Sequence, residues 1–377
     1  MNNLFVNDEN SSLIPINSEE TIYRLSELRD QAEREGNPDF HYFNDRDMLH
    51  YFLYRETNLN KKANRSARTI REYEKELHMM IKQMLENGPV MHLDIKIVEG
   101  SLFKSLEKRH LRLYQKWVAE ESPHVKKRGS YSPATLERKT VIWKGFFSFL
   151  YKCGYIQKPV HEGLLTASVR TDDRPNRDLG PAEVIQLLDY FKEQQHSIAF
   201  SLIHVLVSTG MRNEELCLLR VADVHYDSIL GYYYLSVTGK GNKRREIPLK
   251  EKVLESILQY RNNRFRPVSF PSSSEEPLFI TSTGRAFTPD GLAHFLKRII
   301  KDVDLPFVRS GHIKITAHVF RHSFAIISHL NKADIFSIMK ALGHEDIHTT
   351  MIYLQKVLNR EQHVIHQWTN KSLGKYI

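Results

Sequence analysis

Apolar positions along the chain fall into two regimes. From about residue 41 to residue 165 they recur at helical spacing. SARTIREYEKELHMMIKQML (Ser66 to Leu85) repeats Ile70, Tyr73, Leu77, Ile81 and Leu85 at intervals of three and four, which predicts an amphipathic helix. Its other face starts with Arg65, Arg68 and Arg71. SPATLERKTVIWKGFFSFLYKCGY opens with Ser132 as an N-cap and Pro133 at the first helical position. It carries Leu136, Thr140, Trp143, Phe147 and Leu150 on one side, with Arg138, Lys139 and Lys144 largely elsewhere. Nothing in this half has the alternation of a strand. TASVRTDDRPNRDLG (Thr166 to Gly180) then loses all periodicity and reads as an interdomain linker. Beyond it, PAEVIQLLDYFKEQ predicts a surface helix and SIAFSLIHVLVSTGM a buried one. GYYYLSVTGKGNKRREIPL has the aromatic and β-branched runs of a hairpin around a basic tip. PLFITSTGRAF (Pro277 to Phe287) predicts a third strand, and from Pro289 the pattern is helical again, interrupted near PFVRSGHIKITAH.

Composition narrows the class. A chain of 377 residues with 41% hydrophobic and 26% charged residues has the make-up of a globular protein of two domains with an added arm. Its apolar runs fall short of the about 18 residues that suggest a membrane span, and MNNLFVNDENSSLIPIN has neither the basic start nor the apolar core of a signal peptide. A cytoplasmic protein without a membrane partner is expected. Cys153 and Cys217 stand far apart without metal-ligand spacing, so both read as small core residues, and no metal or other cofactor is expected. The net charge is +9, but residues 1–40 carry −6 and the remainder +15. An excess of that size favours a polyanionic partner, because each Lys or Arg that neutralises a phosphate releases counterions.

Four short stretches hold the unusual residues. In TGMRNEEL, Arg212 precedes Glu215 by three positions; in TGKGNKRR, Lys240 sits between two glycines of the hairpin turn. AHVFRHSFA places His318 and Arg321 on one helical face, and ALGHEDIHTTMIYLQ sets His344 nine residues before Tyr353. Each alone has an ordinary reading: a surface ion pair, a solvated turn lysine, a common triplet, a half-buried aromatic. Their order and spacing together strongly resemble the tyrosine recombinases, the integrase family that includes the Xer and Cre proteins and lambda integrase. The match spans roughly Asp178 to Gln362, and the helical region is similar to that family's core-binding domain, chiefly through SPATLERKTVIWKGFFSFLYKCGYI. The chain departs from the pattern in TAHVFRHSF, where family members often have Pro before the His and Leu before the Arg, in Leu-Gln after Tyr353, and in its acidic arm.

The resemblance implies a mainly α, C-shaped DNA clamp. Its parts would be an acidic N-terminal arm (1–40), a helical SAM-like core-binding domain (41–165), a linker (166–178) and a catalytic domain (179–377), mostly α with a small antiparallel sheet. It implies Tyr353 as the nucleophile that forms a 3′-phosphotyrosyl bond, His318 as its base, and Arg212, Arg321 and His344 as donors to the charged phosphorane. Lys240 would protonate the leaving 5′ oxygen and Glu215 would orient the set. A phenol with an ordinary pKa of about 10 needs such a base, and guanidiniums suit a charged phosphate. The implied partners are a double-stranded DNA recombination site, three further copies in a tetramer that works through a Holliday junction, and possible accessory DNA-binding proteins. Val364 to Trp368 would supply an apolar anchor for the C-terminal exchange between protomers that the resemblance implies, the alternative being a helix packed on its own domain. Basic helix faces and the hairpin nominate Arg68, Arg71, Arg138, Lys139, Lys144, Lys243 and Arg244 for DNA contact. Hairpin telomere resolvases and type IB topoisomerases share the chemistry, and a non-enzymatic DNA-binding regulator could share the scaffold.

Overall fold

Caps set where the first helices begin. The structure, a computed structural model, describes residues 18–166, 168–169 and 176–367. α1 (Ser18–Arg34) precedes α2 (Asp45–Tyr54), whose N-cap Asn44 accepts from the Arg46 and Asp47 amides while the Asp47 carboxylate accepts from the Asn44 amide. That reciprocal box satisfies donors the first turn would otherwise leave orphaned. α3 (Ala67–Asn87) starts at Ser66 and buries Leu77, Met80, Ile81 and Met84. Leu85, expected in its stripe, is 39% exposed, because the buried face is centred on Leu77, Met80, Ile81 and Met84 and leaves Leu85 at its edge. α4 (Leu102–Ser105), α5 (Lys108–Glu120) and α6 (Pro123–Arg128) follow. In α7 (Pro133–Lys152), Ser132 accepts from the Thr135 amide at 3.3 Å, and Ile142, Trp143, Phe146, Phe147 and Leu150 are buried.

These helices share an aromatic-rich core in the first of two units, Met1–Arg174 and Pro175–Ile377. Buried Asp45 ties it together: its carboxylate accepts from Ser101, from the Phe103 amide at 3.1 Å and from the Tyr155 hydroxyl at 2.8 Å. Part of the acidic N-terminal segment belongs to this unit. α1 buries Leu25 and Ala32 completely, and Arg29 donates to the Tyr51 hydroxyl at 2.7 Å. Burying one leucine contributes about 1.5–3 kcal/mol, so docking of α1 follows from its apolar stripe despite its charge.

The second unit begins with α8 (Pro181–Glu193), α9 (Ser197–Thr209) and α10 (Asn213–Leu218). α9 is apolar nearly all round and forms the centre of the core. An antiparallel sheet follows in the order β1 (Val224–Asp227), β2 (Tyr232–Thr238), β3 (Arg244–Pro248). Its register sets Val224 opposite Leu235, Leu235 opposite Ile247 and Val237 opposite Arg245. The hairpin is where the sequence predicts it, whereas the third strand is not. Pro277 to Phe287 makes only two isolated bridges, Arg220 with Pro277 and Ile280 with Ala286, around a turn at Gly284. Leu278, Phe279 and Ile280 are buried by the core itself, so their apolar run carries no strand periodicity; the true third strand, Val224–Asp227, is too short to show one. α11 (Glu251–Asn263), α12 (Pro289–Lys301), α13 (Pro306–Arg309), α14 (Ala317–Leu330), α15 (Ile335–Leu342) and α16 (Ile347–Glu361) complete the unit. Among the described residues no helix is long and apolar enough to cross a membrane.

Candidate active site

The site assembles where α9, β3, α14, α15 and α16 converge. α9 ends at Gly210, whose φ of 60° suits glycine and where a Cβ would lie 2.7 Å from the Phe324 ring. The close approach puts the Gly210 carbonyl against α14, where it accepts from Arg321 Nη1 at 2.8 Å. Arg321 Nη2 donates to the Leu342 carbonyl at 2.7 Å, so two helix C-termini hold one guanidinium, while its buried Nε–H has no protein partner. Arg321 is 1% exposed. Burial, followed by the nearby Arg212, lowers its pKa to about 10, with the adjacent Tyr353 acting the other way. A buried cation with a spare donor is suited to an anion.

Arg212 is the N-cap of α10 and is held by Glu215 one turn on. The carboxylate accepts from the Arg212 amide at 2.7 Å and from its Nη1 at 2.8 Å. Glu215 is buried and takes two further bonds, from Arg245 Nη1 at 3.0 Å and Nη2 at 2.8 Å. Burial alone would push its pKa up, but the bonds from Arg245 and Arg212 outweigh that and hold it at about 2. Arg245 also donates from Nε to the Ala341 carbonyl at 3.0 Å, fastening β3 to α15. Arg245 is not among the residues that the sequence motifs nominate. The signal was available: in a strand with period two it shares the inward face of Ile247, between outward Arg244 and Glu246.

His344 follows the left-handed turn at Gly343 that ends α15. Its Nδ1 is bonded to Thr350 Oγ1 at 2.9 Å, which leaves Nε2 for the site. Thr350 is fully buried on α16, one turn before Tyr353 and on its face. Of the two threonines between His344 and Tyr353, this one orients the histidine, a role the sequence reading did not assign. Tyr353 is 7% exposed and lies among three imidazoles: ring centroids are 5.6 Å from His318, 5.2 Å from His344 and 3.8 Å from His322. Desolvation comes first, then the positive charges of Arg177, Arg321 and Arg212, in lowering the His318 pKa to about 4. His318 keeps an exposed edge, so solvent moderates that effect. The His344 pKa falls to about 3, through burial and then Arg321 and Arg212. The site therefore pairs fixed guanidinium charge with neutral imidazoles around a phenol.

The other candidates differ in what their side chains meet. Lys240 opens the 3-10 turn Lys240–Asn242 at the hairpin tip; its side chain lies outside the described part of the structure. Lys243 pairs with Glu345 at 2.5 Å, across to the loop that carries His344, and Arg244 is exposed. On the first unit Arg68 and Arg71 are exposed, Arg138 pairs with Glu72, Lys139 pairs with Glu76 at 2.6 Å with only 12% of its side chain exposed, and Lys144 donates to Thr166 at 3.0 Å. Lys356, one turn after Tyr353, meets Asp178 at 3.5 Å and so ties the start of this unit to the tyrosine helix. Val364 and Ile365 are exposed in a short 3-10 turn, while Trp368 lies outside the described residues.

The arrangement gathers arginines and imidazoles around a buried tyrosine on a mostly helical frame. The model of the phage integrase family matches residues 177–360. The tyrosine recombinase XerC of Chlorobaculum parvum is 30% identical over 249 residues, 60% of this chain and 70% of that protein. XerD of Listeria innocua is 28% identical over 316 residues, covering 81% and 92%. The fold is similar to that of the XerH site-specific recombinase bound to a palindromic difH substrate in a post-cleavage complex, with a TM-score of 0.60 at 20% identity over 93% of this chain and 94% of that one. It is also similar to the Tn1549 transposon integrase in complex with circular intermediate DNA, with a TM-score of 0.51 at 19% identity over 77% and 90%. The chain belongs to the phage integrase family and is a site-specific tyrosine recombinase.

Proposed function

We propose that this recombinase cuts and rejoins strands at a double-stranded DNA site with Tyr353 as nucleophile. The observation that carries the reading is the enclosure of the Tyr353 ring by His318 and His344 beside Arg321, whose Nε–H has no protein partner. The phenol oxygen attacks the phosphorus and its proton passes to neutral His318, which a lowered pKa leaves free to accept it. Arg212, Arg321 and His344 bond the nonbridging oxygens as charge gathers there. The bond to the 5′ oxygen breaks, Lys240 supplies its proton, and the products are a 3′-phosphotyrosyl bond and a 5′ hydroxyl. Attack by another 5′ hydroxyl reverses the step and joins strands. Glu215, through Arg212 and Arg245, fixes the geometry.

The wider assembly belongs to the same reading. Four copies act on two sites through a Holliday junction in the cytoplasm, in integration, excision or dimer resolution, with the exposed Val364 and Ile365 part of an exchanged C-terminal anchor. Exposed Arg68, Arg71 and Arg244 are better placed for phosphate contact than Arg138, Lys139, Lys144 and Lys243, which already have protein partners. The test is covalent capture from a nicked genomic library in EDTA, by wild type and by Tyr353→Phe. Adducts with wild type alone are expected and yield the target sequence. Adducts with both proteins would remove Tyr353 from the role, and binding without any adduct would favour a DNA-binding regulator.

A further inference from the structure

Tyr353 lies flat against another ring. The His322 imidazole is stacked on it, centroids 3.8 Å apart and planes at 29°, whereas His318 and His344 meet it edge-on at 89° and 80°. A stacked contact limits tilt of the phenol and movement along its ring normal, whereas edge contacts limit approach within the ring plane. His322 follows Arg321 directly and His318 by one turn, so a single helix, α14, carries the stacked ring, the phosphate-facing guanidinium and the base. The catalytic reading assigns His322 nothing.

The residue is also an unusual choice for packing. His322 is 5% exposed, and neither Nδ1 nor Nε2 has a hydrogen-bond partner. Buried polar side-chain atoms are in large majority paired, so two orphans on one ring beside a nucleophile need a reason beyond filling space. Leucine would fill the volume but offers no face. An imidazole offers an aromatic face together with a nitrogen lone pair that suits the positive surroundings of Arg177 and Arg321. Burial, then His318 and those arginines, hold the ring neutral, with its pKa near 3.

We propose that His322 is a positioning residue for the nucleophile: its ring is the floor on which the Tyr353 phenol is held in plane for in-line attack, and it exchanges no proton itself. The inference rests on Tyr353 being the nucleophile, so one arm of the test is independent of catalysis. 3-Fluorotyrosine placed at position 353 alone, in the full chain without DNA, gives a single ¹⁹F resonance that reports order of that ring. A broad, dispersed line is expected for wild type and for His322→Phe, and a narrow line near the free amino acid position for His322→Leu, which keeps the volume and loses the face. In the second arm, adduct formation on a fragment captured by the wild type falls on the order of 100-fold in His322→Leu with DNA affinity unchanged. His322→Phe holds it within about 5-fold, because the stack survives. An unchanged ¹⁹F line and rate in His322→Leu overturn the proposal. A His322→Phe protein as slow as His322→Leu overturns it too, by assigning the role to a ring nitrogen. If no fragment is captured, Tyr353 has failed as the nucleophile and the ¹⁹F lines still decide whether His322 orders the ring.

Discussion

Replacing Glu215 with glutamine tests the keystone of the site. The carboxylate takes four bonds, two from Arg212 and two from Arg245, at 2.7 to 3.0 Å. Its pKa is near 2 against an ordinary 4.5, despite burial that alone would raise it. At about 1.4 kcal/mol per pH unit that difference is worth about 3 kcal/mol at neutral pH. The sign follows from the lowered pKa: the stabilisation is complete above pH 4.5 and is lost as pH falls through 2. Glutamine keeps the shape but has one acceptor oxygen, and its amide turns donors toward guanidiniums. Removing one side of a buried ion pair costs about 3–5 kcal/mol, which agrees in size. Two thiols make the assay specific to each unit. Buried Cys217 lies two residues from Glu215 on α10, and Cys153 lies in the first unit. Native-state thiol labelling of Cys217 should accelerate roughly 100-fold in Glu215→Gln, with Cys153 unchanged, because every 1.4 kcal/mol is about tenfold. A Cys217 acceleration below about 5-fold, under roughly 1 kcal/mol, would refute the view that this carboxylate holds α10 and β3 together.

Two further outcomes follow from the histidines. Thr350→Val keeps the buried volume but removes the partner of His344 Nδ1, so adduct formation should fall about 10-fold or more while DNA affinity holds; an unchanged rate would show that His344 needs no orienting bond. His322 and His344 have folded pKa values near 3, below the ordinary 6.5, so the unfolded chain binds protons first. Their contribution is complete above pH 6.5 and declines as pH falls toward 3, by up to about 1.4 kcal/mol per pH unit for each ring. Urea unfolding at pH 7 and pH 4.5 should show a smaller loss in His322→Phe than in wild type, and an equal loss would refute the assignment.

Much of the chemistry was legible in local pattern because helices and tight turns are local structures. Ser132 and Pro133 announce α7, the glycines of TGKGNKRR announce the hairpin, and the spacings of Arg212 with Glu215 and His318 with Arg321 place each pair on one helical face. The resemblance rested on those short patterns. The short strand Val224–Asp227 was not legible, since four residues cannot show a period, and Pro277 to Phe287 misled because burial by a core gives the same apolar run as burial in a sheet.

By itself, then, the sequence determined the hairpin, the strongly periodic helices beyond residue 41 and a list of candidate groups for phosphoryl transfer, but not the helix Ser18–Arg34 within the acidic segment. Tertiary structure decided which groups meet. Arg321 is held by carbonyls 111 and 21 residues away, and Arg245 reaches Glu215 across 30 residues. His322 becomes the floor under Tyr353 only when α14 and α16 pack. Propensity and spacing act over a turn or two of chain, whereas a buried charge or an unpaired imidazole is defined by whatever the fold brings to its side.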